Sequence, residues 1–104
     1  MKSKVYDIVL HSPIGPKKGT LTLFNEKDEY SADIYLMRQL NHFAVMVTSL
    51  GEYCLTGTLK TLVGDVVCKI RVKSINSILL AVADTGKGTM EIEGRLIESG
   101  NVDG

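Results

Sequence analysis

The chain has 104 residues, the size of one domain, and its 12 Lys and Arg residues balance its 12 Asp and Glu residues. This net charge of zero disfavours nucleic acid as the main partner, because phosphate binding needs a basic surplus. No stretch approaches the roughly 20 apolar residues of a membrane-spanning helix, and the segment after Met1–Lys4 lacks the apolar run of a signal peptide. We therefore expect one cytoplasmic domain over residues 1–104, with a frayed tail at 100–104.

Two strands separated by a loop are predicted at the start of the chain. Tyr6, Ile8 and Leu10 share one face of residues 4–10, as in a half-buried strand. Both prolines fall within residues 11–19, which predicts a loop. A second strand over residues 20–24 points Leu21 and Leu23 inward, and residues 25–28 form a hairpin turn.

The stretch from residue 30 to residue 43 fits two structures. As a strand over 30–37, it alternates apolar with polar residues and leads to a tight connection near Asn41 and His42. As a helix over about 31–42, it would cap the sheet and make the fold α+β. Ile34 occupies the position where a capping box has Glu or Gln, so the strand is favoured. Residues 43–48 then form a strand that is apolar on both faces.

The register of the next hairpin follows from its two faces. Tyr53, Leu55, Gly57 and Leu59 share one face of the first strand, and Val66, Cys68, Ile70 and Val72 share one face of the second. Pairing Lys60 with Asp65 across residues 61–64 sets every apolar face against an apolar face. A slip of one residue would turn one of these faces to solvent, so the register is well specified.

Two further hairpins extend the same inner face. A turn at residues 74–77 pairs Lys73 with Ile78 and therefore Cys68 with Ala83. A glycine-rich turn at residues 84–89 pairs Asp84 with Thr89 and therefore Ala83 with Met90. Three turns agree on one inner face, and such agreement is stronger evidence for a sheet than any single propensity.

Eight short strands joined by tight turns predict an all-β fold. The pattern is typical of an eight-stranded antiparallel up-and-down barrel or a barrel-like meander. Gly57 and Gly94 stand at strand positions that suit the bends of a small barrel. This arrangement resembles the small calycin-type ligand barrels in architecture only, and a shared architecture does not establish function.

The predicted interior combines a row of small residues with inward aromatic and Met side chains. Small inner residues either leave a cavity or admit a large side chain from the opposite wall, and interiors are normally filled. We predict a non-enzymatic protein that binds a small apolar or amphipathic molecule. The predicted ligand-binding residues line the barrel interior: Tyr6, Tyr53, Gly57, Cys68, Ala83 and Met90.

The outer face of the seventh strand carries Ile78, Leu80 and Val82, where a half-solvated sheet should be polar. Long charged side chains on both neighbouring strands offer one explanation, since their stems can cover apolar residues and pair across the strand. The alternative is a subunit contact. The second predicted function is therefore an assembly module that forms a homodimer or larger homo-oligomer through these three residues.

Other motifs give little support for catalysis or metal binding. Asp84-Thr85-Gly86 resembles the catalytic triplet of retroviral-type aspartic proteases, which would make Asp84 catalytic. Lys87 stands where that family has a small residue, and a turn that begins with Asp also explains the triplet. His11 and His42 lack the close ligand pairs of structural zinc sites. We predict no catalytic residue, no metal and no cofactor.

Overall fold

The computed structural model describes residues 1–61 and 64–101, which form eight strands and no helix. Consecutive strands are antiparallel, and β1 also pairs with β8, so the sheet closes into an up-and-down barrel as predicted. The strands are β1 (Lys2–Ser12), β2 (Gly15–Glu26), β3 (Glu29–Leu36), β4 (Gln39–Ser49), β5 (Glu52–Thr61), β6 (Gly64–Ile75), β7 (Ile78–Thr85) and β8 (Gly88–Asn101).

The helix considered for residues 31–42 does not form. Those residues are the end of β3, a two-residue turn and the start of β4. Met37 and Arg38 make the turn with φ angles of 52° and 62°, the left-handed conformation typical of tight hairpins. The connection predicted near Asn41 and His42 is therefore wrong, because neither Met37 nor Arg38 carries a turn signal in the sequence.

The loop predicted over residues 11–19 is also wrong. β1 and β2 continue toward each other as far as a turn at Pro13 and Ile14. Pro16 lies opposite His11, next to the Ser12–Gly15 pair that closes the hairpin. In an antiparallel ladder, pairs that exchange hydrogen bonds alternate with pairs that do not, so the nitrogen of Pro16 points away from β1. On its other side the position needs no donor, because β3 pairs with β2 only from Gly19 onward.

Two of the three predicted registers are confirmed, and one is wrong by two residues. Lys60 pairs with Asp65, and Asp84 pairs with Thr89, as predicted. The β6–β7 hairpin instead closes at Ile75 and Ile78, so Ala83 lies opposite Ile70 and not opposite Cys68. A slip of two residues leaves the inner and outer faces unchanged, which is why the apolar pattern did not reveal it.

One end of the barrel repeats a single turn construction. In three hairpins, a Ser or Thr hydroxyl donates to the carbonyl oxygen of the Gly three residues later: Ser12 to Gly15 at 2.5 Å, Thr61 to Gly64 at 2.6 Å and Thr85 to Gly88 at 3.0 Å. Each of these glycines has a positive φ, at 116°, 119° and 138° respectively. Glycine reaches such angles without the steric cost that a side chain would add.

The barrel interior is filled by apolar side chains from all eight strands. Phe43 is fully buried and lies across Gly57, where an added Cβ would come within 2.8 Å of the Phe43 Cδ2 atom. The core residues are Tyr6, Ile8, Leu10, Leu21, Leu23, Ala32, Ile34, Leu36, Phe43, Leu55, Leu59, Cys68, Ile70, Val72, Leu79, Ala81, Ala83 and Ile92. Phe43 thus occupies the space that the small inner residues leave.

The β1–β8 pairing extends further than predicted. Gly100 pairs with Ser3 and Asn101 pairs with Lys2, so these two residues belong to β8 and not to a frayed tail. Residues 102–104 lie outside the described residues. A register shift between Val5 and Tyr6 marks a bulge in this ladder, and bulges of this kind bend and twist a closing sheet.

Candidate functional site

The two ends of the barrel differ in the chemistry of their inward side chains. At the closed end, where the turns at 13–14, 37–38 and 86–87 lie, Leu10, Leu36 and Leu59 are buried. The buried Asn41 at that end is satisfied: its amide donates to the carbonyls of Ile34 and Gln39, and its oxygen accepts from the Lys60 amide at 2.9 Å. These residues seal the closed end.

At the terminal end, where β1 begins and β8 ends, the inward positions become polar. Side chains alternate along a strand, so Lys2 and Lys4 share the inner face of β1 with Tyr6. The same alternation turns residues inward on four other strands. We call this inward polar ring the mouth: Lys2, Lys4, Tyr6, Asn25, Tyr30, Tyr53 and Ser74.

Hydrogen bonds and ring contacts hold the mouth together. The Tyr6 hydroxyl lies 3.0 Å from the Ser74 hydroxyl, and the Asn25 amide donates to the Tyr30 hydroxyl at 3.1 Å. The Tyr30 and Tyr53 rings are tilted against each other with centroids 5.6 Å apart. Together they frame a cleft of about 270 Å³ that is lined by Lys2, Ser3, Lys4, Leu23, Asn25, Tyr30 and Tyr53.

The mouth combines lysines with a neutral phenol. Burial raises the pKa of the Tyr53 phenol, and the nearby Tyr30 and Tyr6 phenols raise it further. Tyr53 is therefore a neutral hydroxyl donor at physiological pH. No carboxylate among residues 1–61 and 64–101 lies within ion-pair distance of Lys2 or Lys4. The cleft is thus lined by two exposed lysines and by two tyrosines.

The structure divides the six residues that the sequence predicted for ligand binding. Tyr6 and Tyr53 belong to the mouth, whereas the other four lie deeper in the barrel. Cys68 and Ala83 are buried in the core, and Gly57 and Met90 are partly buried. Since Cys68 faces Thr85 across the ladder, the small residues do not form the continuous row that was expected.

The sequence reasoning missed Lys2, Lys4, Asn25, Tyr30 and Ser74. The signal was present in the alternation, because four of them lie two residues from a core residue on the same strand, as Lys4 precedes Tyr6 and Tyr30 precedes Ala32, and Lys2 lies two residues before Lys4. The alternation does not show at which end of the barrel each strand begins or ends. That assignment needs the complete strand order.

The three residues predicted for an oligomer contact lie on the outer face of β7. Ile78 is 44% exposed, Leu80 is 53% exposed and Val82 is partly buried. The neighbouring charged groups do not pair across this strand. Arg71 lies 3.6 Å from Asp84, and Lys73 lies 3.9 Å from Glu52.

The protease-like triplet is a hairpin turn in this structure. The hydroxyl of Thr85 accepts from the Lys87 amide at 3.1 Å and donates to the Gly88 carbonyl. Asp84 faces outward beside Arg71. These contacts account for Asp84 and Thr85 as turn and surface residues.

The histidines and cysteines lie apart from one another. His11 contacts Glu93 at 3.1 Å and His42 contacts Asp33 at 2.7 Å, and within the described chain no three His, Cys, Asp or Glu side chains converge on a possible metal position. Cys54 and Cys68 are both free, and they lie on opposite faces of the sheet. Burial raises the pKa of the Cys68 thiol, which the backbone hydrogen bond with Leu59 partly offsets, so this thiol is a poor nucleophile.

Comparison with known proteins adds no assignment, since the chain matches no protein-family model, no curated protein and no solved structure. In the part of the chain that the structure describes, no helix has the length and hydrophobicity needed to cross a bilayer.

Proposed function

We propose that this protein binds a small amphipathic molecule at the mouth of the barrel and carries out no reaction on it. The observation that carries the proposal is a cleft that Lys2 and Lys4 line together with Tyr30 and Tyr53, above an apolar core. The mouths of β-barrels are frequent ligand sites, and a few polar groups there fix the orientation of the ligand.

The chemistry of the cleft selects the ligand class. The ammonium groups of Lys2 and Lys4 favour a carboxylate or another small anion. The Tyr30 and Tyr53 rings and the Leu23 side chain favour an apolar or aromatic body. A cleft of about 270 Å³ is at the lower end of the sizes of ligand pockets, so the ligand should be small.

Binding is favoured over catalysis by the protonation state of the Tyr53 phenol. A catalytic base must lose its proton near the working pH, and the raised pKa of Tyr53 keeps that group protonated. Beneath the mouth the core is closely packed, with Phe43 in contact with Gly57. This packing supports a ligand that binds at the mouth and not in the centre of the barrel.

Native mass spectrometry of the purified protein is the first test. A retained molecule should add non-covalent mass to the intact chain, and the added mass should be lost from a Lys4→Gln variant. Lys60→Gln is the matched control, because Lys60 is an exposed lysine on β5 with its side chain outside the barrel. Added mass that persists in the Lys4→Gln variant would place the ligand elsewhere.

A titration with defined probes provides the second test. The chain has four tyrosines and no tryptophan, and Tyr35, the tyrosine outside the mouth, is 47% exposed. NMR spectra of ring-labelled tyrosines should show saturable shifts for Tyr30 and Tyr53 with benzoate and smaller shifts with the neutral isostere benzamide. Lys4→Gln should weaken benzoate binding by about threefold to tenfold. Equal chemical-shift changes with benzoate and benzamide would show that the site does not require an anionic group.

A further inference from the structure

The outer face of β7 carries an apolar stripe that the barrel itself does not cover. Ile75 on β6 pairs with Ile78, and the two side chains are 53% and 44% exposed. Leu80 is 53% exposed, and Val82 continues the row. We call these four residues the β7 stripe. Outward residues of a half-solvated sheet are normally polar, so the stripe points to a contact.

Charges of opposite sign flank Leu80 and Val82 on the two sides of the stripe, whereas Ile78 has Arg95 opposite on β8. Leu80 has a cation opposite on β6 and a carboxylate opposite on β8, and Val82 has the same arrangement: Lys73–Leu80–Glu93 and Arg71–Val82–Glu91. Each cation lies two strands away from its carboxylate, so the backbones that carry them are about 10 Å apart. The flanking charges are therefore too far apart to pair with each other readily within one chain.

The contacts that these charges do make lie beside the stripe and are exposed. Arg71 contacts Asp84, Lys73 contacts Glu52, and Glu93 contacts His11. Exposed ion pairs of this kind contribute little to stability. Re-pairing with charges of another molecule would therefore cost the fold little.

We propose that the β7 stripe is the contact with a second copy of this chain, related by a two-fold axis that lies in the contact and runs parallel to β7. Rotation about that axis brings the β6 side of one copy over the β8 side of the other. Lys73 of each copy then faces Glu93 of the other, and Leu80 packs against Leu80. A two-fold axis perpendicular to β7 would instead set cation against cation.

Grooves beside Leu80 offer space for side chains of the second copy. Leu80 lines two outer grooves, one of about 490 Å³ that extends over β8 and β1 and one of about 430 Å³ that extends over β6 and β8. Two convex barrels that meet along one strand bury an area at the low end of the range for protein interfaces. We therefore expect a dimer with a dissociation constant in the micromolar range. The contact residues face outward, and no residue of the mouth belongs to the contact.

Sedimentation equilibrium of the full chain tests the contact. The protein should show a concentration-dependent monomer–dimer equilibrium, and Leu80→Glu should raise the dissociation constant by at least about 30-fold, as expected for a central contact residue. The matched control is Leu40→Glu, because Leu40 is 62% exposed on β4, on the other side of the barrel. A chain that stays monomeric at millimolar concentration, or a dimer unchanged by Leu80→Glu, overturns the proposal.

Charge reversal tests the direction of the axis and does not depend on the Leu80 variant folding. Lys73→Glu alone and Glu93→Lys alone should each weaken the homodimer, because each places like charges across the contact. An equimolar mixture of the two variants should form a heterodimer, and the double variant should recover the wild-type dissociation constant. If either single reversal leaves the homodimer unchanged, the proposed pairing is wrong, because only an axis parallel to β7 sets residue 73 of one copy against residue 93 of the other.

Discussion

Replacement of Gly57 by Ala tests how tightly the barrel interior is packed. The new Cβ would lie 2.8 Å from the Cδ2 atom of Phe43 and 3.0 Å from the carbonyl oxygen of His42. Phe43 is completely buried and His42 contributes backbone, so neither can move away without disturbing its neighbours. The substitution should therefore destabilise the protein through overpacking.

The size of the effect follows from two opposing contributions. Overpacking of a filled core costs about 1–3 kcal/mol. The φ angle of Gly57 lies outside the left-handed region, so Ala also gains about 0.4–1 kcal/mol by restricting the unfolded chain. We expect a net loss of about 1–2 kcal/mol, which a domain with about 5–15 kcal/mol of stability should survive.

Two other glycines calibrate the prediction. An added Cβ at Gly86 meets no atom within 4 Å, so Gly86→Ala should be neutral or slightly stabilising. At Gly19 it would overlap the carbonyl oxygen of Tyr35, which is backbone, so Gly19→Ala should cost more than Gly57→Ala. The free energy of unfolding should therefore decrease in the order Gly86→Ala, Gly57→Ala, Gly19→Ala.

Urea denaturation followed by circular dichroism measures the free energy of unfolding of each variant, with an unchanged m-value as the control for a two-state transition. Phe43→Leu removes the ring edge that the new Cβ meets. The double variant should therefore be less destabilised than the sum of the single variants by about 1 kcal/mol. A Gly57→Ala protein as stable as the wild type, or strictly additive costs, would show that Phe43 does not fill this space as the structure indicates.

Three further predictions concern single side chains. Asn41→Leu should lower the free energy of unfolding by about 1–3 kcal/mol in urea denaturation, because it leaves the Lys60 amide without its acceptor; full stability would contradict this role. The pKa of Tyr53 is raised above 10.0, so its contribution is complete below about pH 10 and is lost as pH rises through the folded-state pKa. Tyr53→Phe should therefore lose less stability than the wild type above pH 10. Iodoacetamide should alkylate the partly exposed Cys54 in the folded chain, and mass spectrometry should find Cys68 modified only after unfolding.

The fold could be predicted because period-two alternation and turn spacing constrain the same residues. The apolar faces excluded every odd slip of the hairpin that pairs Lys60 with Asp65, since an odd slip would expose the row that includes Leu55 and Ile70. The β6–β7 register was predicted incorrectly because a slip of two residues leaves both faces of the sheet unchanged. A two-residue turn closes that hairpin, with Asn76 at a φ of 56°; Asn tolerates this angle better than most residues.

The candidate site was harder to predict than the fold. Tyr6 and Tyr53 were recognised as inward residues, but they are far apart in sequence and their proximity depends on the strand order around the whole barrel. Lys4 lay within the strand predicted over residues 4–10 but was not recognised as a site residue, and Lys2 joins its face only through the extension of β1 to Lys2. The charge of the mouth was therefore not visible from the local sequence.

The β1–β8 ladder has a consequence for how the barrel folds and opens. The other strand pairs join strands that are consecutive in the sequence, whereas this pairing closes a loop of roughly 90 residues at an entropic cost of about 4 kcal/mol. We expect this ladder to form last and, despite its length, to open most readily near its bulge at Val5, where amide hydrogen exchange should be fastest. Each opening would expose two unpaired strand edges at once, so the rate of aggregation should follow the opening of this seam more closely than global unfolding.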